Sequence, residues 1–265
     1  MDRRKERDSP PADLTDVGGK LRLFVEMRLS AGAKVSPRES QAHYLLHVMR
    51  VHEGDSVILF NGMDGEWRAS VTGTTRRTCT LFCEARVKTQ EDVPDLWLAF
   101  APIKKTPADY VVQKATELGV RVLQPVITRR TVARRVNLNR LRANAIEAAE
   151  QSGRLSVPEV REAVALDALL RAWPSTRRLI FCDEGGGAAP IADALTNARE
   201  NLPSAWGVLT GPEGGFDPEE RARIRQLSFV LPVSLGPRIM RADTAALAAL
   251  AVWQALAGDW HLSGL

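Results

Sequence analysis

Cysteine is scarce in this sequence. Three are spread over 265 residues, and no two are spaced as CxxC. So sparse and odd a set excludes a disulfide framework, and reduced, buried thiols in a cytoplasmic protein are expected at Cys79, Cys83 and Cys182. Long apolar runs are missing too. None reaches the roughly 18 residues of a membrane-spanning helix, so no membrane partner is expected. Residues 1–20 are polar and charged, without the apolar stretch of a secretory signal, and read as a flexible tail. Lysine is rare, with 7 against 29 arginines. The planar arginine fork suits phosphates and base edges, although a GC-rich coding sequence enriches arginine and alanine together. The net charge of +4 is weak evidence for any partner, and 45% hydrophobic with 26% charged residues is ordinary globular composition.

The rest of the chain has two textures. From Leu21 to Lys88 it reads as short strands and turns. RLFVEMRL and CTLFCEARV look like strands, and GDSVILFNGMDGEWRASV outlines a hairpin with Asn61-Gly62 and Asp64-Gly65 as turn signals. SPRESQAHYLLHVMRV between them looks helical, with Ser36 as cap and Pro37 first in the helix. Residues 21–88 are therefore expected to form a small β-barrel with one short helix. Residues 89–94 (TQEDVP) form a polar link.

Residues 95–265 alternate between strand and helix, which implies an α/β domain with a mostly parallel sheet and helices on both faces. LWLAFAPI, VRVLQPVI, RRLIFC, AWGVLT and FVLPVSL are the strands. Helices are expected after Thr106-Pro107 and over Asn137–Ser152, PIADALTNA, DPEERARIRQL and ADTAALAALAVWQAL. Asp243 is expected to cap the last of these.

The sharpest segment is Leu209–Glu220, an apolar strand running into a glycine-rich loop and then a helix. Asp217 suits the N-cap and Pro218 the first turn. Three glycines in the five residues 211–215 let backbone approach a ligand closely. No Lys-Ser or Lys-Thr follows, so this is no phosphate-binding P-loop. Glu219 and Glu220 in the first turn would also repel a phosphate, which favours a neutral or cationic ligand. A second strand-to-helix loop, Leu235–Ala245, carries Gly236-Pro237, Arg238 and Arg241. A third polar cluster, Glu150-Gln151-Ser152-Gly153-Arg154, closes a helix. Read alone, each segment also fits a turn or a helix end.

Together these segments resemble a known family. LTGPEGGF, SLGPRIMRADTAALAAL, AAEQSGRLSVPEV and KKTPADYVVQKATELGV are similar to the motifs of the ribosomal RNA small subunit methyltransferase E family, of the SPOUT class. HYLLHVMRVHEGDSVILFNGMDGEW resembles that family's PUA-like RNA-binding barrel. The likeness spans about Leu21 to Leu256. It implies a deep trefoil knot in the C-terminal domain, although knots are nearly absent from proteins at large. It also implies a homodimer, S-adenosylmethionine as cofactor, and methylation of uridine N3 in 16S ribosomal RNA or the small ribosomal subunit, at uridine 1498. Where the family usually has glutamate, this chain has Asp243.

By the same resemblance the cofactor is expected against Leu209, Thr210, Gly211, Pro212, Glu213, Gly214 and Gly215. Its other wall is expected from Ser234, Leu235, Gly236, Ile239, Met240, Arg241, Thr244 and Ala245. Arg154 and Arg241 are the expected stabilisers of a uracil anion, with Glu150 as proton acceptor or orienter of Arg154. Because N3 lies on the pairing edge of the base, the target nucleotide must be unpaired or flipped out. His43, His47, Arg50, Arg76 and Arg77 are expected to touch RNA, together with Lys104 and Lys105. His43 and His47 have a helical metal-ligand spacing, but no third ligand is evident and no metal is expected. Two rival readings stand beside this one. Cys182–Gly187 loosely mimics the acidic-glycine loop of a Rossmann-type methyltransferase, and the scaffold could serve a non-catalytic RNA-binding assembly factor.

Overall fold

The computed structural model describes residues 21–103, 105–133, 135–198 and 204–260, without the side chains of residues 105–107. The expected tail, 1–20, and Lys104 lie outside the described residues, as does the Lys105 side chain. The chain divides into two compact units, Met1–Gln90 and Glu91–Leu265, and the division falls within the polar stretch 89–94.

In the first unit five strands make one sheet: β1 (Arg22–Phe24), β2 (Lys34–Val35), β3 (Ser56–Phe60), β4 (Glu66–Thr72) and β5 (Thr80–Lys88). Their order is β1-β3-β4-β5-β2, parallel only between β1 and β3. Inward residues alternate along the strands, with Val57, Leu59, Ala69, Val71, Leu81 and Cys83 all buried. The β3–β4 turn is built by side chains. Asn61 Oδ1 accepts from the backbone of Met63 and Asp64, and Asp64 accepts from Leu29 N at 2.9 Å. Helix α1 (Glu39–His43) and a wider turn, Tyr44–Val48, complete the unit. The helix starts later than its sequence suggests. Arg38, not Ser36, is the N-cap, because Gln41 reaches back to accept from Arg38 N and also donates to Phe24 O at 2.6 Å.

The second unit is a parallel sheet of eight strands: β6 (Asp95–Phe100), β7 (Val122–Ile127), β8 (Glu159–Val160), β9 (Val164–Ala165), β10 (Arg178–Cys182), β11 (Ala189–Pro190), β12 (Ala205–Thr210) and β13 (Val230–Ser234). The order is β11-β13-β10-β12-β6-β7-β8, with β9 also on β7. Among the described residues seven α-helices are numbered in chain order, and the last six belong here: α2 (Lys105–Glu117), α3 (Leu138–Gln151), α4 (Leu166–Ala172), α5 (Ile191–Asn197), α6 (Pro218–Arg225) and α7 (Ala242–Ala257).

Strands covered on both faces need apolar residues at successive positions. Leu96, Leu98 and Phe100 of β6 pack with α2, α3, α5 and α7, whereas Ala99 faces the core under α4 and α6. Trp206 and Val208 of β12 face the first core, and Leu209 the second. Asn137, the first residue of the expected helix, is the N-cap of α3 and accepts from Arg140 N at 3.1 Å. Two helix starts differ from expectation. Helix α2 already includes Lys105, ahead of the start expected after Thr106-Pro107. Helix α7 has Arg241 at its N-cap, which puts Asp243 inside the first turn, where it accepts from Thr244 N at 2.7 Å.

Candidate functional site

Strands β13, β10 and β12 are adjacent, so the loops leaving their carboxyl ends converge. Ligands in open α/β sheets bind at such ends. Here the three loops enclose a cavity of about 550 Å³, well within the range of small-molecule sites. Thr210–Glu213 and Gly215 form one wall, residues 234–243 the second, and Cys182–Glu184 with Gly186 the third, with Ile103 after β6 and Ala245 of α7 closing the space.

The glycine loop is fixed at both ends. Gly215 N donates to Pro212 O at 2.9 Å, closing a turn. Asp217 caps α6 by accepting from Glu219 N, while the Glu220 carboxylate accepts from Asp217 N and, at 2.9 Å, from Arg129 N. Arg129 adds ion pairs to Asp217 at 2.8 Å and Glu219 at 2.6 Å. Desolvation pushes the Asp217 carboxyl upward, but the Glu219 amide and the Arg129 guanidinium outweigh it and hold it below its ordinary range. Phe216 lies edge-on to Phe181, ring centroids 5.0 Å apart, and its ring covers Gly211 so closely that a Cβ there would sit 2.8 Å away.

The third loop is held by a buried carboxylate. Asp183, with no side-chain exposure, accepts from Arg221 Nε at 2.5 Å and Gly185 N at 3.1 Å. Arg225 Nε lies 2.8 Å from Asp183 Oδ2 as a charge contact but is not aligned to donate to it. With the loop pinned this way, Glu184 reaches across to accept from Phe216 N at 2.8 Å. One carboxylate thus ties two walls together. Burial, and secondarily the Glu184 charge, push the Cys182 thiol up to about 12, so it stays protonated.

Of the residues expected at the cofactor, Thr210, Gly211, Pro212, Glu213 and Gly215 line this cavity. So do Ser234, Leu235, Gly236, Ile239, Met240, Arg241 and Ala245. Leu209 does not, because it is buried in the core beneath α4 and α6. Gly214 faces Arg130 instead, and Thr244 is exposed in the first turn of α7. Glu150 and Arg154 are not brought to the cavity. Arg154 is 9% exposed, and its guanidinium donates to Thr116 O at 2.6 Å, Val120 O at 3.0 Å and Ser156 O at 3.1 Å. It satisfies carbonyls at the end of α2, as cations commonly do there. Burial pushes its pKa down to about 10, against the pull of Asp259, and leaves it charged at neutral pH.

In the first unit His43 and His47 stand with ring centroids 4.9 Å apart, and His47 Nε2 lies 3.0 Å from Arg76 O. The sheet therefore brings both histidines to the Arg76-Arg77 turn, and all four are exposed. Arg50 is exposed beyond them, with a left-handed φ of 55°. Among the described residues no group of three or more His, Cys, Asp or Glu could hold a metal ion, and no helix is long and apolar enough to cross a membrane.

Sequence reasoning missed the third wall. Its signal was present, since Cys182–Gly187 stood out as an acidic-glycine loop, but that loop was assigned to a rival topology. It missed Arg129 and Arg130 for a different reason: their partners lie more than eighty residues away.

The RNA methyltransferase domain family matches residues 89–254, and the RNA methyltransferase PUA domain family matches residues 37–82. A ribosomal RNA small subunit methyltransferase E from Synechocystis is 33% identical over 89% of this chain and 77% of its own length. One from Rickettsia conorii is 30% identical over 87% and 93%. The crystal structure of a Neisseria gonorrhoeae enzyme of that name, bound to S-adenosyl methionine, is 30% identical with a TM-score of 0.81, covering 91% of this chain and 99% of that one. A Legionella pneumophila methyltransferase solved with the cofactor SAM reaches a TM-score of 0.79 at 28% identity, with coverage of 91% and 99%. With such agreement over nearly its whole described length, this chain belongs to the ribosomal RNA small subunit methyltransferase E family.

Proposed function

We propose that this protein uses S-adenosylmethionine to methylate N3 of a uridine in small-subunit ribosomal RNA, namely uridine 1498. The observation that carries the reading is the cavity formed by three loops at adjacent strand ends. Its residues fit that cofactor. Ile103, Leu235, Ile239 and Met240 supply apolar surface, and the charged lining is four carboxylates, Asp183, Glu184, Glu213 and Asp243, against two guanidinium groups, Arg238 and Arg241, an acidic excess. That charge pattern suits a cationic ligand and opposes a triphosphate. Bound there, the cofactor supplies a methyl group on positively charged sulfur.

The chain's own residues have four tasks. Backbone at 210–215 and 234–240 holds and aligns the donor, and alignment alone lowers a barrier by up to about 7–11 kcal/mol. Arg241, exposed at the cavity and N-terminal to α7, stabilises negative charge on a uracil oxygen as N3 passes its proton to solvent water at the open cavity. Arg154 serves by bracing the end of α2 through the Thr116 and Val120 carbonyls. RNA is gripped by the first unit through His43, His47, Arg50, Arg76 and Arg77, with Lys104 and Lys105 as further contacts of the second.

We also infer the trefoil knot, the closed PUA-like barrel, a cytoplasmic location and a homodimer. Ile239, fully exposed beside the cavity, supports the dimer.

The test is methyl transfer from labelled cofactor to small-subunit RNA, followed by primer extension. An N3 methyl blocks pairing, so one new reverse-transcriptase stop at a uridine is expected, and it should be lost with Arg241→Ala. Cofactor binding without any such stop would sink the assignment, and RNA binding without cofactor binding would favour the assembly-factor reading.

A further inference from the structure

The arginines around the cavity fall into two sets. Arg129 is committed to Asp217 and Glu219, Arg221 and Arg225 to Asp183, and Arg223 to Asp167. Arg130, Arg238 and Arg241 make no ion pair among the described residues, although all three are exposed. Arg238 and Arg241 line the cavity. Arg130 reaches its edge by another route: it lies along Gly214, and its Nη1 donates to Gly214 O at 3.0 Å.

A guanidinium has five N–H donors, and the Gly214 carbonyl uses one of Arg130's. The anchor fixes the fork while leaving the other donors available, so less side-chain freedom is lost on binding an anion. Arg238 follows Pro237, whose ring stiffens the opposite wall. Two of the nearby carboxylates already accept hydrogen bonds, Glu184 from Phe216 N and Asp243 from Thr244 N. Glu213 stands exposed on the glycine loop and lines the cavity together with Arg238 and Arg241. The lining thus carries both signs, and its arginines, unlike Asp183, Glu184 and Asp243, have no partner among the described residues that neutralises or fixes them. A cationic methyl donor and a polyanionic acceptor need both.

We propose that Arg130 and Arg238 form a two-point clamp on the RNA backbone, each binding a phosphate flanking the flipped-out target nucleotide. The inference rests on the RNA-methylating reading of the same cavity and assigns it two residues beyond those already given roles. Because Arg130 is tied to Gly214, the clamp holds the strand in a fixed position relative to the cofactor loop.

The test uses the full chain with Arg130→Ala, Arg238→Ala and Arg130→Lys, each checked for an unchanged melting temperature. RNA affinity is measured across a salt series, cofactor affinity by calorimetry, and methyl transfer by steady-state kinetics. Each alanine variant should weaken RNA binding about tenfold and flatten the log–log salt slope by about 0.7, the increment for one phosphate contact on a single strand. KM for RNA should rise by more than kcat falls, cofactor affinity should stay within about twofold of wild type, and Arg130→Lys should recover most of the salt slope by restoring a point charge. An unchanged slope and KM in both alanine variants would overturn the clamp. So would a loss of cofactor affinity in Arg130→Ala with RNA binding intact, since Arg130 would then only brace the loop. If the wild-type chain shows the arginine-dependent salt slope yet transfers no methyl, the clamp stands and the methyltransferase reading fails.

Discussion

Replacing Gly215 by alanine should cripple cofactor binding, whereas the same change at Gly214 should scarcely register. Gly215 has a φ of +66°, and a Cβ built on it would lie 2.4 Å from Glu184 Oε1. A left-handed alanine costs roughly 1–2 kcal/mol. Displacing Glu184 also breaks its bond from Phe216 N, a loss of roughly 1–2 kcal/mol for a charged acceptor still partly in water. The sum is roughly 2–4 kcal/mol, spent on a loop that must be in place for the ligand. At about 1.4 kcal/mol per tenfold, affinity should fall on the order of 100-fold. At Gly214 φ is not positive, and the nearest atoms to an added Cβ are Arg130 Cβ and Cδ at 3.8 and 3.9 Å, which is ordinary contact. Affinity there should change by less than about threefold, the factor for roughly 0.6 kcal/mol. Titration calorimetry with S-adenosylmethionine reads both. Adding Glu184→Ala to Gly215→Ala should remove the collision but not the backbone strain, so the double variant should lose less than the two single effects added together. Equal losses at 214 and 215, or wild-type binding by Gly215→Ala, would refute the reasoning.

Asp183→Asn keeps the shape but removes the charge between Arg221 and Arg225. Breaking a fully buried pair costs about 3–5 kcal/mol, and because these arginines are about a third exposed the expected loss is roughly 2 kcal/mol in urea unfolding; a loss under about 0.5 kcal/mol, the scatter of an ordinary surface change, would remove Asp183 as the anchor of its loop. Arg154→Met leaves the Thr116 and Val120 carbonyls without their donor and should cost roughly 2–4 kcal/mol of stability, with cofactor affinity of the folded protein unchanged by calorimetry; unaltered stability would contradict the bracing role. In the first unit, the Leu29 amide, then Asn61 and Arg28, hold the Asp64 carboxyl below its ordinary value. A depressed carboxyl stabilises the fold above its unfolded pKa of about 3.9 and loses that contribution as pH falls through the lower folded value. Asp64→Asn should therefore flatten the acid limb of stability below about pH 4, read through Trp67, the only tryptophan in residues 1–90; an unchanged limb would disprove the link.

Much of the second unit was legible because its signals are local. AWGVLT coincides with β12, and Asp217, Pro218 and Glu220 mark the start of α6 through a capping box that spans four residues. The parallel sheet followed from alternation alone. What escaped notice depends on distant contacts. Strands β8, β9 and β11 are two residues long and exist only because β7 and β13 offer them edges. The start of α1 moved because Gln41 bonds to β1, a choice invisible from Ser36-Pro37. At the site, the glycine loop was readable from sequence, but its tie to Glu184 crosses thirty-two residues and the Arg130 contact eighty-four. Arg154 was a candidate from its neighbours in sequence, but its hydrogen bonds to the Thr116 and Val120 carbonyls at the end of α2 could not be read from them.

The three cysteines are all buried, two of them in the smaller unit and one, Cys182, at the floor of the cavity. A thiol reagent can therefore serve as a clock for each half of the molecule. Cys79 and Cys83 should react only when the first unit opens, and Cys182 only when the second does. Labelling followed by peptide mass spectrometry would time the two openings separately in one sample, and saturating cofactor should slow the Cys182 clock alone.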